Sequence, residues 1–363
     1  MSQKIVVILL NLGGPDQPSS IRPFLKNFFM DPAIIGAPYP IRWMISRYIA
    51  WKRGRPGGPA EQSYGMMGGK SPLLENTIAQ AKALQEKLNL DDKQNQHAEY
   101  TVHVAMRYWH PRADQVIQTL TKNPPDQIIL LPLYPQFSTT TTGSSIAEFQ
   151  QEMTRAGLSV PIKTVCCYPD QRGFIAASTD QIKSAYQTMW ADYPHLKSPR
   201  VLFSAHGLPE KIIAGGDPYQ MQCEKTAALI AAQLARDLGE PKLDWQVCYQ
   251  SRVGPLQWIK PSTDDALRRA GADQVPVIIY PHAFVSEHVE TLVEIEHEYR
   301  DLARELRVPA FARAGTVMTH PDFITGLANM VVAAQTSQRP LAPGVPPWQC
   351  GDRWTKCPYR AAV

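Results

Sequence analysis

The sequence predicts an α/β fold made of two similar domains, each a parallel β-sheet flanked by helices. Three observations predict it. Apolar, β-rich runs alternate with helix-period segments along the whole 363-residue chain. The clearest runs are nearly continuous in Val, Ile and Leu, as expected for strands covered on both faces. A degenerate repeat also pairs the first half of the chain with the second.

The strand candidates are Ile5–Leu10, Tyr100–Met106, Gln127–Leu133, Arg200–Ser204, Trp245–Tyr249 and Val275–Tyr280. The first follows Met1-Ser2-Gln3-Lys4 directly, is short, and leads into Gly13-Gly14-Pro15. It lacks a small-residue cleavage site and reads as a buried strand rather than a signal peptide. Helices carry start signals between the strands. Ser71-Pro72 opens one with Leu74, Ile78, Ala81 and Leu88 on one side, and Asp217-Pro218 opens another running to about Leu238.

The repeat aligns Asp126-Gln127…Tyr134-Pro135-Gln136-Phe137-Ser138 with Asp273-Gln274…Tyr280-Pro281-His282-Ala283-Phe284, at an offset of 147, and Arg107 with Arg252, at 145. The corners Gly13 and Gly207 are 194 apart, so the first half carries about 47 extra residues between its first strand and the later ones. Two related domains, residues 1–165 and 166–335, followed by a tail over 336–363, account for this. A chance echo of βαβ grammar is the competing explanation.

The extra residues fall around 30–70. Ile34, Ile35, Tyr39, Ile41, Trp43, Met44, Ile45, Tyr48, Ile49 and Trp51 are interleaved there with Arg42, Arg47, Lys52, Arg53 and Arg55. This mixture suits a lip that lies in a lipid interface or covers a flat apolar ligand. An amphipathic core helix fits the same residues.

Net charge is +4 and the pI about 8.6. That is too mild to argue for nucleic acid, and no Lys/Arg run suggests it, so none is expected as a partner. No stretch of about 18 apolar residues offers a spanning helix. The expectation is a cytoplasmic protein, open to peripheral contact with the inner membrane surface through the 34–51 lip. Its six cysteines include no C-x-x-C and read as reduced thiols.

Several motifs fail. No G-x-G-x-x-G follows a strand, no H-E-x-x-H or nucleophile elbow is present, and Gly69-Lys70-Ser71 has Tyr64 where a phosphate loop needs glycine. Two sites remain. His206 directly follows a buried strand, where open α/β sheets bind ligands, and a neutral imidazole there can accept a proton or ligate a transition metal. A structural hydrogen-bonding role is the ordinary alternative. Glu290, Glu294 and Glu298 recur every four residues after another strand, which places them in a row on one face of an α-helix. Such like charges cost a helix roughly a few tenths of a kcal/mol each. A solvated acidic face is the plain reading; a ladder that binds a divalent cation or relays protons is the functional one.

At these residues the chain resembles the ferrochelatases. The resemblance rests on Ser204-Ala205-His206-Gly207-Leu208-Pro209, Gly216-Asp217-Pro218-Tyr219, Gln250-Ser251-Arg252-Val253-Gly254-Pro255-Leu256-Gln257-Trp258 and the segment from Ser286 to Glu294. In the first half it rests on Asn11-Leu12-Gly13-Gly14-Pro15, Gly68-Gly69-Lys70-Ser71-Pro72, Arg107-Tyr108-Trp109-His110-Pro111 and Leu133-Tyr134-Pro135-Gln136-Phe137-Ser138. It runs in order from about residue 5 to 300.

The resemblance implies two Rossmann-like domains with a porphyrin cleft between them, and a lyase that inserts ferrous iron into protoporphyrin in haem biosynthesis. It places the active-site histidine at His206 and the essential glutamate at Glu290, with Glu294 and Glu298 on an acidic path handling metal or protons. Leu12, Tyr64, Ser71, Arg107, Tyr108 and Trp258 match positions that line or orient the porphyrin. Arg53 and Arg55 compete for a propionate-facing role. Some relatives hold a [2Fe–2S] cluster on three tail cysteines and one in the segment after Tyr-Pro-Gln. Here that segment is Phe137-Ser138-Thr139-Thr140 and the tail has only Cys350 and Cys357, short of the usual four thiolates. No prosthetic group is therefore expected, with iron and porphyrin as substrates. A chelatase for coproporphyrin, for another tetrapyrrole or for cobalt, and a non-catalytic haem carrier, are the rivals.

Overall fold

The computed structural model describes residues 2–92, 98–251, 256–337, 339, 341–342 and 350–358. Arg252, Val253, Gly254 and Pro255, part of the motif after the fifth strand candidate, lie outside the described residues. In chain order the strands are β1 (Gln3–Asn11), β2 (Ala98–Met106), β3 (Gln127–Pro132), β4 (Ile162–Val165), β5 (Arg200–His206), β6 (Trp245–Gln250), β7 (Val277–Tyr280), β8 (Phe311–Arg313) and β9 (Leu341–Ala342).

The chain forms two compact units. The first takes Met1–Leu133, Ser138–Cys166 and Ala328–Ala342; the second takes Tyr134–Phe137, Cys167–Leu327 and the described part of Pro343–Val363. Each has an all-parallel sheet, ordered β2-β1-β3-β4-β9 in the first and β6-β5-β7-β8 in the second. The first four strands of either sheet therefore follow one rule: second, first, third, fourth. That shared order is the topology an internal repeat requires. β4, and β8 at the edge of the second sheet, were not among the strand candidates. They are three or four residues long, with Lys163 and Arg313 inside them, so neither reads as an apolar run.

Buried interiors explain the continuous apolar strands. In β1, Ile5 to Leu10 are all buried, with β2 on one side and β3 on the other. In the second unit Val201, Leu202 and Phe203 of β5 and Val277, Ile278 and Ile279 of β7 are fully enclosed. Each such side chain stabilises by roughly 1.5–3 kcal/mol. A site at the strand ends can therefore carry a strained residue, costing about 1–2 kcal/mol, without endangering the sheet.

The helix Leu73–Asp92 forms where Ser71-Pro72 places its start, and Ala81 and Leu88 of the apolar side are buried, but the inner face is turned away from Ile78. Leu73, Thr77, Gln80, Ala81, Leu84 and Leu88 face inward, while Ile78 is 52% exposed. The cause is polar burial. Thr77 Oγ1 donates to Leu73 O (2.7 Å) and accepts from Asn11 Nδ2 (3.0 Å), so a hydroxyl sits on the inner face at no hydrogen-bonding cost. The same helix closes the outer edge of β2. Asn89 bonds both the N–H and the C=O of Tyr100 (3.0 and 2.9 Å), Gln85 Oε1 accepts from Val102 N (2.8 Å), and Asp92 Oδ2 accepts from Ala98 N (3.0 Å).

The extra residues of the first unit form the helices Tyr39–Gly54 and Pro59–Gly65. Only Ser46 and Ala50 of the longer helix are buried. Tyr39, Ile41, Trp43, Met44, Tyr48 and Trp51 are exposed, which rules out the core-helix reading. Arg47 lies over the Trp43 ring at 3.8 Å, so the exposed aromatic face also carries cations. Among the described residues no helix is long and apolar enough to cross a membrane.

Candidate active site

In the second sheet the order of successive strands reverses between β5 and β7, and a crevice at such a switch point is where open α/β sheets bind ligands. His206 is the last residue of β5. It is followed by Gly207, where a Cβ would approach Gln250 O to 2.9 Å and the Trp258 ring to 3.3 Å, so glycine lets these segments close on one another. After β7 the chain turns into a helix whose Glu290–Tyr299 stretch has the wide π turn, a distortion common at functional sites.

These two strand ends bring His206 and Glu290 together. His206 Nδ1 lies 2.8 Å from Glu290 Oε2, with the imidazole 37% and the carboxylate 20% exposed. Burial by itself favours the neutral ring, but the Glu290 charge and hydrogen bond outweigh it and raise the pKa of His206. Burial likewise opposes the Glu290 charge, yet the imidazolium and its hydrogen bond hold this carboxyl well below the usual range.

Ser251, one residue beyond β6, joins Glu290 to Glu294. Its Oγ lies 3.1 Å from Glu290 Oε2 and 2.5 Å from Glu294 Oε2, both within hydrogen-bond reach, and its N–H donates to Glu294 Oε1 (2.9 Å). Its φ of 62° lies in the left-handed region that non-glycine residues rarely enter. Gln250 Nε2 (3.2 Å) and Tyr299 OH (3.2 Å) also donate to Glu294, and Gln250 is held in turn by Ser204 Oγ (2.7 Å). Burial and the Glu290 charge nevertheless raise the pKa of Glu294. One hydroxyl proton cannot satisfy two carboxylates at once. A protonated Glu294 donating to Ser251, which donates to ionised Glu290, satisfies all three groups.

His288, quoted in the motif but given no role by the sequence, completes the surroundings. Its Nδ1 accepts from Glu290 N (3.1 Å), and burial pushes the ring toward the neutral form. Glu298 does not join the group; it is exposed further along the helix. A row drawn on an α-helix does not carry over to a π turn, whose angle per residue differs. Trp258 is half-buried, bridged to Pro209, and its indole N–H finds no partner among the described residues.

Residues 4–335 match the family model described as Ferrochelatase. A protein of Caulobacter vibrioides (strain NA1000 / CB15N) named Ferrochelatase is 48% identical over 360 residues, covering 99% of either chain. Ferrochelatases of Phenylobacterium zucineum (43% over 357 residues, 98% of either chain) and of a Wolbachia strain from Drosophila simulans (45% over 329 residues, 91% of this chain and 99% of that one) are also similar. The chain belongs to the ferrochelatase family.

The remaining positions matched to ferrochelatases lie in the first unit. Backbone bonds tie Tyr108 and Ser71 to the turn after β1: Tyr108 N donates to Leu12 O (3.0 Å) and Ser71 N to Pro15 O (2.8 Å). A Cβ on Gly14 would come within 2.6 Å of Ser71. Tyr64 is buried and Arg53 half-buried at the end of the lip helix, whereas Arg55 is exposed. Arg107 is heavily engaged. Its guanidinium bonds Asp31 Oδ2, Glu148 Oε1 and Ser144 Oγ, each at 2.8 Å, and Tyr108 OH donates to the same Asp31 oxygen (2.7 Å). Asp31, at the root of the lip, has no distinguishing motif in the sequence.

All six cysteines are buried and free of disulfides. Three of them gather in the second unit. Gln222 Nε2 donates to Cys167 Sγ (3.6 Å) and Cys350 Sγ (3.4 Å), and contact with Cys357, then burial, raise the pKa of Cys350. Sequence reasoning missed Cys167 because it looked for the distant thiol after Tyr-Pro-Gln. Three protein thiols remain one fewer than the four a [2Fe–2S] cluster ordinarily takes.

Proposed function

We propose that this chain inserts ferrous iron into protoporphyrin IX, releasing two protons and forming protohaem, with His206 and Glu290 carrying the chemistry. The observation behind this reading is the 2.8 Å His206–Glu290 contact at a sheet switch point, in a chain of the ferrochelatase family. In the neutral ring, with Nδ1–H committed to Glu290, Nε2 of His206 is the nitrogen that takes a pyrrole proton. The Glu290 charge makes the ring a stronger base and stabilises the imidazolium that forms. Ser251 and Glu294 continue the path for protons, with Glu298 at its exposed outer end, and the same carboxylates suit passage of the divalent substrate ion.

A flat porphyrin keeps its nitrogen lone pairs in the ring plane, where iron reaches them poorly. Binding the ring bent, at a strain of about 1–5 kcal/mol drawn from remote contacts, would expose them. Leu12, Arg53, Tyr64, Ser71, Arg107, Tyr108 and Trp258 hold the macrocycle in this reading. Arg107 acts chiefly by fixing its neighbours, since three side chains already occupy it. No prosthetic group takes part. The exposed face of the lip helix, with Trp43, Met44 and Trp51 beside Arg47 and Lys52, supports peripheral contact of a cytoplasmic protein with an anionic membrane surface.

Anaerobic mixing of the protein, ferrous iron and protoporphyrin IX tests the reading. The metal-free porphyrin spectrum should give way to that of protohaem with multiple turnovers. Binding of haem without conversion would mean a carrier, and faster conversion of coproporphyrin would reassign the substrate.

A further inference from the structure

Beyond β2 and beyond β6 the same construction appears twice. The residue after β2, Arg107, bonds Ser144 Oγ and Glu148 Oε1, which stand four residues apart on the helix after β3. The residue after β6, Ser251, bonds Glu290 Oε2 and Glu294 Oε2, four residues apart on the helix after β7. The two helix pairs are offset by 146 residues and the two bonding residues by 144, close to the 147 and 145 of the sequence repeat. The construction thus belongs to the repeated fold, while its chemistry differs. In the first unit a cation is bonded to a hydroxyl and a carboxylate. In the second, a neutral hydroxyl is bonded to two carboxyl groups and supplies no cation to pair with either of them.

We propose that Ser251 is a positioning residue for iron insertion, a neutral clamp that holds Glu290 and Glu294 at fixed spacing and keeps Glu290 aimed at His206. This deepens the chelatase reading and rests on it. The left-handed backbone at Ser251 turns both its N–H and its hydroxyl toward the same helix, so one residue makes three of the bonds that define the pair. Gln250 supports it from the neighbouring position through Glu294 Oε2 and the Glu290 carbonyl.

Two substitutions separate the hydroxyl from the backbone. S251G keeps the left-handed turn without steric cost and removes the clamp; S251A removes the clamp and retains a Cβ. Because hydrogen bonds to charged groups are lost, both variants should lower kcat by roughly 10- to 100-fold. The KM for protoporphyrin should change less than about twofold, since the ring-holding residues are untouched. The midpoint of thermal unfolding of S251G should stay near that of the wild type. Wild-type kcat in S251G overturns the clamp, and so does a rise in KM that accounts for the whole loss of kcat/KM in both variants. If the wild-type protein itself converts no porphyrin under anaerobic iron, the chelatase reading fails instead. That outcome is read before either variant is made.

Discussion

Arg107 and Asp31 form a buried ion pair, with Nη2 2.8 Å from Oδ2 and the two side chains 14% and 2% exposed. Asp31 also accepts hydrogen bonds from Tyr108 OH and Ser144 Oγ on the same oxygen, and from Ala33 N on the other. This one carboxylate joins the root of the lip to the end of β2 and to the helix after β3. Breaking a buried pair from one side leaves the other charge poorly compensated. D31A should therefore destabilise the protein by about 3–5 kcal/mol, read as a lower urea midpoint. A loss under about 1 kcal/mol would show that Glu148 alone satisfies Arg107.

His206 makes one strong contact, through Nδ1, and keeps more than a third of its side chain exposed. H206A removes the base without opening the core. The expected result is a fall in kcat of roughly 10²- to 10⁴-fold with porphyrin binding, followed by fluorescence quenching, nearly unchanged. Turnover at the wild-type rate would remove His206 from the mechanism.

Glu294 binds its proton more tightly folded than unfolded, because burial and Glu290 push its pKa up to about 7. The folded state thus holds more protons between pH 4.5 and about 7, and stability from this group falls as pH rises through that window. E294Q carries no such charge. Its unfolding midpoint relative to wild type should climb between pH 5 and pH 8, as measured by thermal melts at both values. Parallel curves would mean that Glu294 titrates like a surface carboxylate.

The lip helix offers a test on membranes. Trp43, Met44 and Trp51 are 41%, 59% and 55% exposed, so replacing all three with Ser removes little packing. The triple variant should keep its melting temperature and lose most of its binding to anionic phospholipid vesicles, since each large apolar side chain contributes about 1.5–3 kcal/mol on full burial. Equal sedimentation of variant and wild type with vesicles would exclude this helix as the contact.

Strand interiors were legible in the sequence because Ile5–Leu10 and Gln127–Leu133 are enclosed on both faces, and such strands are written as continuous apolar runs. His206 and Glu290 were legible as residues just past such runs. Their contact was not, because nothing local records which strands become neighbours. The face of Leu73–Asp92 was read only in part, right at Ala81 and Leu88 but not at Ile78, because Thr77 and Gln80 are polar and yet buried, a state that depends on partners such as the remote Asn11. Ser251 escaped for two reasons. A left-handed serine has no compositional mark, and the two carboxylates it bonds lie 39 and 43 residues further along the chain. Cys167 shows the same blindness, since Gln222 brings it together with Cys350, far along the chain.

The side chains of Asn89, Gln85 and Asp92 along the rim of β2 stand in for the strand that would otherwise lie there. An uncovered row of amides invites a second molecule to add itself and start an aggregate. Here a newly made chain meets backbone N–H groups that are already bonded, at every second residue from Ala98 to Val102. Crowding at high cellular concentration is resisted on this flank by three side chains of one helix, and losing Asn89 would reopen both bonding groups of Tyr100 at once.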